Sequence, residues 1–458
     1  MNLKEPKNIN YAATVVIINR LVDLPNCNNL QGAIINGNAV VVSKDTRIGD
    51  IGIFFPVECR LSEDYLASNN LYSDVLLNDN NAVKGYFEKH GRVRAQSFRG
   101  NRSEGFYMPI VSLTHFLTNP DIIKLKEGDT FDELNGIPIC EKYIPAGTKI
   151  PQTPAQKQKV NKLRNILVDK QFKFHGETPQ LKNNLDVLCQ DDFISITGKL
   201  HGSSCILANV LIRRDLSLLD KIAKWLGVAV QEEEYGYIYS SGKPKSQLPK
   251  GVLGAWENKG VDYYDTNIWK RVCDDYKDLV QKGITLYGEI VGFTEDGRYI
   301  QKDYDYGCVQ EAVIREPGKT TFVGIQYNFY VYRITSTNID GETIEFSKPQ
   351  VKEYCKKYGL YYVPEYYYGR AGGFYPCDGS TDCQERFLES LKDVFLEKDC
   401  TICANKVPAE GIVVAVEGGK SYKLKSYRFL QKETEDLDAG IMDMESAENF
   451  EFVSNETI

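Results

Sequence analysis

The sequence predicts an α+β protein in two unequal parts, a small β-barrel followed by a larger unit built on antiparallel sheets. Three observations carry this reading. Short alternating runs broken by turn residues fill residues 1–143, a proline-rich stretch follows, and long apolar strands mixed with helical periodicity occupy the remainder.

In the front part, VVSKDTRIGDIGIFFPVE (Val41–Glu58) alternates apolar and polar positions and turns at its glycines. RVRAQSFRGNRSEGFYMPI (Arg92–Ile110) reads as a basic strand, a glycine-rich bend and a second strand. The pattern predicts a barrel over residues 1–143, with Arg92, Arg94, Arg99 and Arg102 on a phosphate-facing surface. IPAGTKIPQTPA (Ile144–Ala155) has no helical period and predicts a linker over residues 144–160.

Over residues 161–432 the strands are DFISIT (Asp192–Thr197), ITLYGEIVGF (Ile284–Phe293), QYNFYVYRIT (Gln326–Thr335) and EGIVVAVE (Glu410–Glu417). They alternate with helical stretches such as DTNIWKRVCDDYKDLVQKG, which predicts antiparallel sheets with helices packed on them. YIYSSGKPK (Tyr237–Lys245) reads as a polar, basic loop.

No apolar run is long enough to span a bilayer, and the N-terminus lacks the pattern of a signal peptide. A cytoplasmic protein with no membrane partner is expected, in which the 12 cysteines are thiols or metal ligands rather than disulfides. The net charge of −8 is concentrated in an acidic tail, residues 433–458, which carries nine Asp and Glu and no Lys or Arg. Without it the body is near +1, so the charge balance leaves room for a basic groove.

Four strings at strand ends carry chemistry: KLHGSS at Lys199, YGEIVG around Glu289, EGIVV from Glu410, and YKLKS with Lys423 and Lys425. An amine attacks a phosphate only when unprotonated, and free lysine titrates near ~10.4, so such a nucleophile needs cationic neighbours. Lys423 and Lys425, two apart on one strand, project to the same face. Carboxylates at Glu289 and Glu410, inside or beside apolar strands, are costly unless paired or bound to a cation.

In this order the strings resemble the covalent nucleotidyltransferases, most closely the ATP-dependent RNA ligases, because KxHG stands where DNA ligases and capping enzymes usually have KxDG. The resemblance covers roughly Phe172 to Lys432. With a barrel in front, the chain resembles the clade with an N-terminal OB module before an ATP-grasp-like adenylyltransferase domain. The resemblance implies that Lys199 becomes lysyl-AMP, with Lys423 and Lys425 on the phosphate. It further implies Glu410 on Mg²⁺ or Mn²⁺, and Glu289 on the ribose or a metal-bound water. Tyr332 in FYVYRI would stack on adenine, with Tyr330 on the same strand face. Gly202 lets the nucleotide approach the backbone. Thr197 stands where relatives have glutamate, which leaves adenine recognition to backbone groups. Ser204 replaces a usual arginine or asparagine, so Arg213 or Arg214 is expected on the ribose or phosphate, and Lys420 substitutes for a basic residue absent at Ala415.

RYIQKDYDYGC (Arg298–Cys308) is expected either near the nucleotide or as a polar hairpin. Cys377, Cys383, Cys400 and Cys403 form a wide pair and a CxxC, either a structural Zn²⁺ site or four unlinked thiols. The expected activity is that of a monomeric ATP-dependent RNA ligase joining 3′-OH and 5′-phosphate ends of nicked or broken RNA. A DNA ligase or capping-type transferase is the alternative, and a non-catalytic RNA-binding module a third.

Overall fold

In this computed structural model the described residues are 3–144, 166–240, 253–255, 268–295, 297–309, 311–316, 319–324, 326–375 and 383–440. Nearly all of the expected linker at 144–160 lies outside them, as do Cys377 and residues 241–245 of the polar loop.

The alternation in the front part does produce strands. β1 (Ala13–Ile17), β2 (Ile51–Pro56), β3 (Cys59–Leu61), β4 (Gly105–Pro109), β5 (Thr130–Phe131) and β6 (Cys140–Lys142) include an antiparallel sheet in the order β5-β1-β2-β4 and a β6-β3 pair. One face of the sheet packs Val15, Ile53 and Phe55 with Tyr65 and Phe131. The other packs Val16, Phe54 and Tyr107 against Ala33 and Val40 of the hairpin Leu30–Ile35 and Asn38–Ser43. The period of two thus buries both faces. Among the described residues the pairing does not close into a barrel but leaves separate open sheets. Strands of two or three residues such as β5 and β6 supply too few ladder bonds to carry closure.

Among the described residues the rear part holds two large antiparallel sheets, beside the hairpin Glu311–Glu316 and Lys319–Val323. β7 (Phe193–Lys199), β12 (Glu365–Arg370), β13 (Gly411–Val416) and β14 (Ser421–Lys425) form the first, in the order β12-β7-β13-β14. β8 (Ser203–Arg213), β9 (Glu233–Ser240), β10 (Ile284–Gly292) and β11 (Tyr327–Thr337) form the second, in the order β9-β8-β10-β11. Short strands Leu253–Ala255 and Thr343–Glu345 extend its two edges, and Tyr361–Tyr362 adds a parallel pairing to β11. β7 runs straight into β8 through Leu200–Gly202, so one loop joins the two sheets.

Helices seal the outer faces. α1 (Leu218–Trp225) buries none of its residues, whereas α2 (Ile268–Tyr276), α3 (Lys348–Tyr358), α4 (Cys383–Phe395) and α5 (Tyr427–Asp438) each bury an apolar face. α2 buries Ile268, Trp269, Val272 and Cys273 at helical spacing, and α3 adds Val351 and Tyr354, all against Leu207, Leu286, Phe329 and Val331. Each such large apolar side chain is worth roughly 1.5–3 kcal/mol when withdrawn from water. α4 covers the first sheet, with Phe387, Leu388 and Leu391 on Ile194, Ile196, Ile412 and Leu424. α3 starts on a capping box between Ser347 and Gln350 and stops at Gly359, whose φ of 69° suits glycine. No helix among the described residues is long and apolar enough to cross a membrane.

Candidate active site

Strand register assembles the centre of the site. Lys199 pairs with Gly411, and Gly411 pairs with Lys425, so the two lysines flank a glycine on neighbouring strands. Two residues along, Thr197 pairs with Val413 and Val413 with Lys423. Opposed residues and residues two apart share a face, which puts Thr197, Lys199, Lys423 and Lys425 on the same side of the sheet. Gly411 has φ 151°, and a Cβ there would lie 2.1 Å from the Leu424 carbonyl oxygen, so the gap between the lysines holds no side chain.

Glu410 stands at the end of that gap. Its Oε1 is 2.5 Å from Lys199 Nζ and 4.0 Å from Lys425 Nζ, and its Oε2 is 4.0 Å from His201 Nδ1. The carboxylate is buried, and neither oxygen has a hydrogen-bond partner in bonding geometry. The Lys199 contact is therefore an ion pair by distance whose angles are not those of a hydrogen bond. The Lys199 and Lys425 ammonium groups meet the charge of this buried carboxylate, while its lone pairs have no donor in bonding geometry.

The tyrosine-rich segment after Glu289 braces the lysine loop from behind. Tyr306 Oη accepts from the His201 N–H at 3.2 Å and donates to the His201 carbonyl at 2.8 Å. Gln301 donates to the Gly202 carbonyl at 3.0 Å, and Tyr304 to the Pro408 carbonyl at 2.8 Å. His201 is packed edge-on against Tyr304 and Phe429. The histidine of KxHG is thus fixed within the loop by its backbone bonds and its packed ring.

The second sheet supplies the opposite wall. Glu289 pairs with Ser204 and with Tyr330, and a Cβ on Gly202 would fall 2.7 Å from Glu289 Cγ. Tyr332 is an extra residue in a bulge, because Tyr287 pairs with Arg333 while Gly288 pairs with Val331. A bulge re-aims its side chain and breaks alternation. Tyr332 meets the His175 ring at 5.4 Å, whereas Tyr330 meets Tyr361 at 5.2 Å, so the two tyrosines have different surroundings despite their spacing. Burial, and next the Glu289 charge, push the Tyr332 hydroxyl well above its ordinary pKa, against a hydrogen bond with Ser204. It stays neutral.

Three acidic residues at the site have no signal in the local strings. Glu58, in the β2–β3 turn of the front part, accepts from Lys425 Nζ at 3.0 Å. Glu433 of α5 lies 3.6 Å from the same ammonium, so the first residue of the acidic tail belongs to the site. Glu177 is 3.3 Å from Lys423 Nζ and is held by Asn8 Nδ2 at 2.8 Å. Burial alone would raise the Glu58 carboxyl, but Lys425, a hydrogen bond with Glu433, and Lys142 together hold it down at about 2.

Several expected residues are elsewhere. Arg213 and Arg214 lie at the far end of the 11-residue β8, roughly 33 Å of strand from Ser203, and Arg214 pairs with Asp220 at 3.0 Å. Lys420 is in the exposed turn between β13 and β14. Of the front arginines, Arg92 is buried on Asp438 and the Thr434 carbonyl, Arg94 reaches Asp438 at 3.3 Å, and Arg102 lies 3.9 Å from Glu397. They fasten the front part to the C-terminal helix region. Arg99 is exposed and donates to the Asn26 carbonyl.

The zinc expectation finds no support. Cys383 opens the 13-residue α4, Cys400 lies beyond its other end, and Cys377 is outside the described residues. Among the described residues no group of three or more His, Cys, Asp or Glu could hold a metal ion. Cys400 and Cys403 bond to each other instead. The Cys403 hydrogen bond, opposed by burial and aided by the backbone N–H groups of Ile402 and Cys403, brings the Cys400 thiol down to about 6.

No family model matches the chain, and no curated protein does. Solved structures do match, and they define the class of fold: it is that of RNA ligases. A lysine-to-methionine mutant of a Naegleria gruberi RNA ligase, with AMP and Mn, aligns with TM-score 0.53 at 16% identity, over 92% of this chain and 98% of that one. A lysine-to-alanine mutant of that ligase with ATP and Mn gives 0.52 at 15%, again over 92% and 98%. The same ligase with PPi gives 0.51 at 15%.

Proposed function

We propose that this chain is an ATP-dependent RNA ligase that seals 3′-OH and 5′-phosphate ends through a lysyl-AMP intermediate on Lys199. The observation that carries the reading is the row Lys199–Gly411–Lys425 with the buried carboxylate of Glu410 beside it. Glu410 is where Mg²⁺ or Mn²⁺ fits, since its buried oxygens lack hydrogen-bond partners. A divalent cation there would stabilise charge developing on the phosphate.

A divalent cation held by Glu410 would weaken its pull on the Lys199 proton; Lys199 as the free amine attacks the α-phosphorus of ATP as pyrophosphate leaves. Lys423 and Lys425, on the same face of the sheet, neutralise the phosphate oxygens in that step. Tyr332 stacks on adenine, Glu289 holds the ribose or a water, Thr197 leaves adenine recognition to its backbone, and Gly202 lets the nucleotide close on the loop. AMP passes from Lys199 to the 5′-phosphate of RNA, and the 3′-OH then displaces it.

The chain divides at the linker, residues 144–160, into an OB-like front module, residues 1–143, and an adenylyltransferase unit from 161. That unit extends past 432 to Asp438, the last residue of α5, rather than giving way to a tail at Glu433. The protein is placed in a reducing cytoplasm, where cysteines stay thiols.

Labelled-ATP transfer tests this. A covalent AMP adduct that requires Mg²⁺ or Mn²⁺ and disappears in Lys199→Ala is expected. An adduct of normal yield in that variant would refute the assignment, and labelling by GTP instead would favour a capping-type transferase.

A further inference from the structure

The front part reaches the rear site through Glu58, although nothing in the chemistry of a nucleophilic lysine calls for a carboxylate from a distant unit. Glu58 lies in the tight turn between β2 and β3 with φ 67°, a left-handed conformation that glycine adopts without strain and glutamate does not. The strain is retained where a carboxylate side chain is turned inward. Glu58 accepts from Lys425 Nζ at 3.0 Å, takes a 3.5 Å contact from Tyr11 Oη, and is backed by Glu433. Its own backbone is pinned, with its N–H on the Val93 carbonyl and its carbonyl on the Tyr143 N–H. Strained residues held by their surroundings concentrate at functional positions.

Taking the ligase reading above as its basis, we propose that Glu58 is a positioning residue for Lys425, holding the ammonium in line with Gly411 and Lys199 so that it meets the α-phosphate during adenylylation. Glu433 shares this duty from α5. The front module is then a part of the adenylylation site and not a separable RNA grip. Lys423 has the equivalent arrangement through Glu177, itself tied to Asn8 of the front part.

Glu58→Gln, Glu58→Gly and Glu58→Asp in the full chain test it, with labelled ATP and Mg²⁺ as the probe. Gln keeps the shape and removes the charge; Gly relieves the backbone, so folding is secured while the side chain is lost. Both are expected to slow adenylylation about ten- to a hundredfold in kcat with KM for ATP nearly unchanged, the loss of one charge-assisted hydrogen bond felt in the transition state. Asp is expected to recover part of the rate, and Gly to stay folded at the assay temperature by circular dichroism. Parent-like rates in Gln and Gly, or faster ones, would overturn the proposal, as would a slow rate explained by a lowered melting temperature in both. Absence of any adduct in the parent chain would overturn the ligase reading and this inference with it.

Discussion

Arg92→Ala distinguishes a buried fastener from a phosphate-binding surface. The Arg92 side chain is only 3% exposed; it donates to Asp438 and to the Thr434 carbonyl at 3.2 Å, and stands 5.1 Å over the Tyr143 ring. Asp438 is 38% exposed, so solvent screening leaves its ion pair about 1 kcal/mol. Losing the hydrogen bond to the Thr434 carbonyl costs about 1 kcal/mol more, and the cation–π contact adds about 1. The total is about 3 kcal/mol, which for a unit of this size lowers the melting temperature by roughly 6–12 °C. The assay is a thermal melt followed by circular dichroism, run beside RNA binding at several salt concentrations. An unchanged melting temperature with weaker RNA binding, and a salt dependence reduced by one phosphate contact, would refute the burial argument and restore Arg92 to an RNA-facing surface.

Glu410→Gln should abolish AMP transfer while the chain stays folded by circular dichroism; activity at saturating Mg²⁺ would mean that Glu410 only balances the lysines. Tyr332→Ala should raise KM for ATP about tenfold in the same labelling assay and Tyr332→Phe should not, since stacking needs the ring and not the hydroxyl. Cys400, with its thiol near pH 6, should react with iodoacetamide at a rate that rises through pH 6 and levels off at neutral pH, as read by mass spectrometry. Equal alkylation of Cys403 under those conditions would contradict the pairing. Because Glu58 titrates below its unfolded value, it stabilises the fold above pH 4.5 and loses that contribution as the pH falls toward about 2. Glu58→Gln should therefore flatten the acid limb of a pH–melting curve in that window.

The groups readable in the sequence are those whose partners lie on the same strand or at its end. Lys423 and Lys425 announce a shared face by spacing alone, and Glu410 is conspicuous as a carboxylate entering an apolar run. Glu58, Glu177 and Glu433 carry no such mark, because their roles arise from contacts such as the 367-residue separation between Glu58 and Lys425. The same limit misled the reading of the arginines. A basic string looks alike whether it faces solvent or, as Arg92 does, a carboxylate hundreds of residues away. Tyr330 and Tyr332 were assigned one face from a period of two, and a single bulged residue set them apart. Arg213 or Arg214 is expected near the nucleotide because Ser204 lacks the usual basic or amide side chain, yet an unbroken strand carries both away.

The pairing of Glu58 with Lys425 also bears on how the protein comes into being. A chain made from its N-terminus exposes Glu58 long before its ammonium partner exists. At roughly 5–20 residues per second, the 367 residues between them take on the order of 20–70 s to synthesise. Through that interval the carboxylates of Glu58 and Glu177 have no lysine to meet. On the proposed ligase reading, the adenylylation site stays incomplete until β14 has been made.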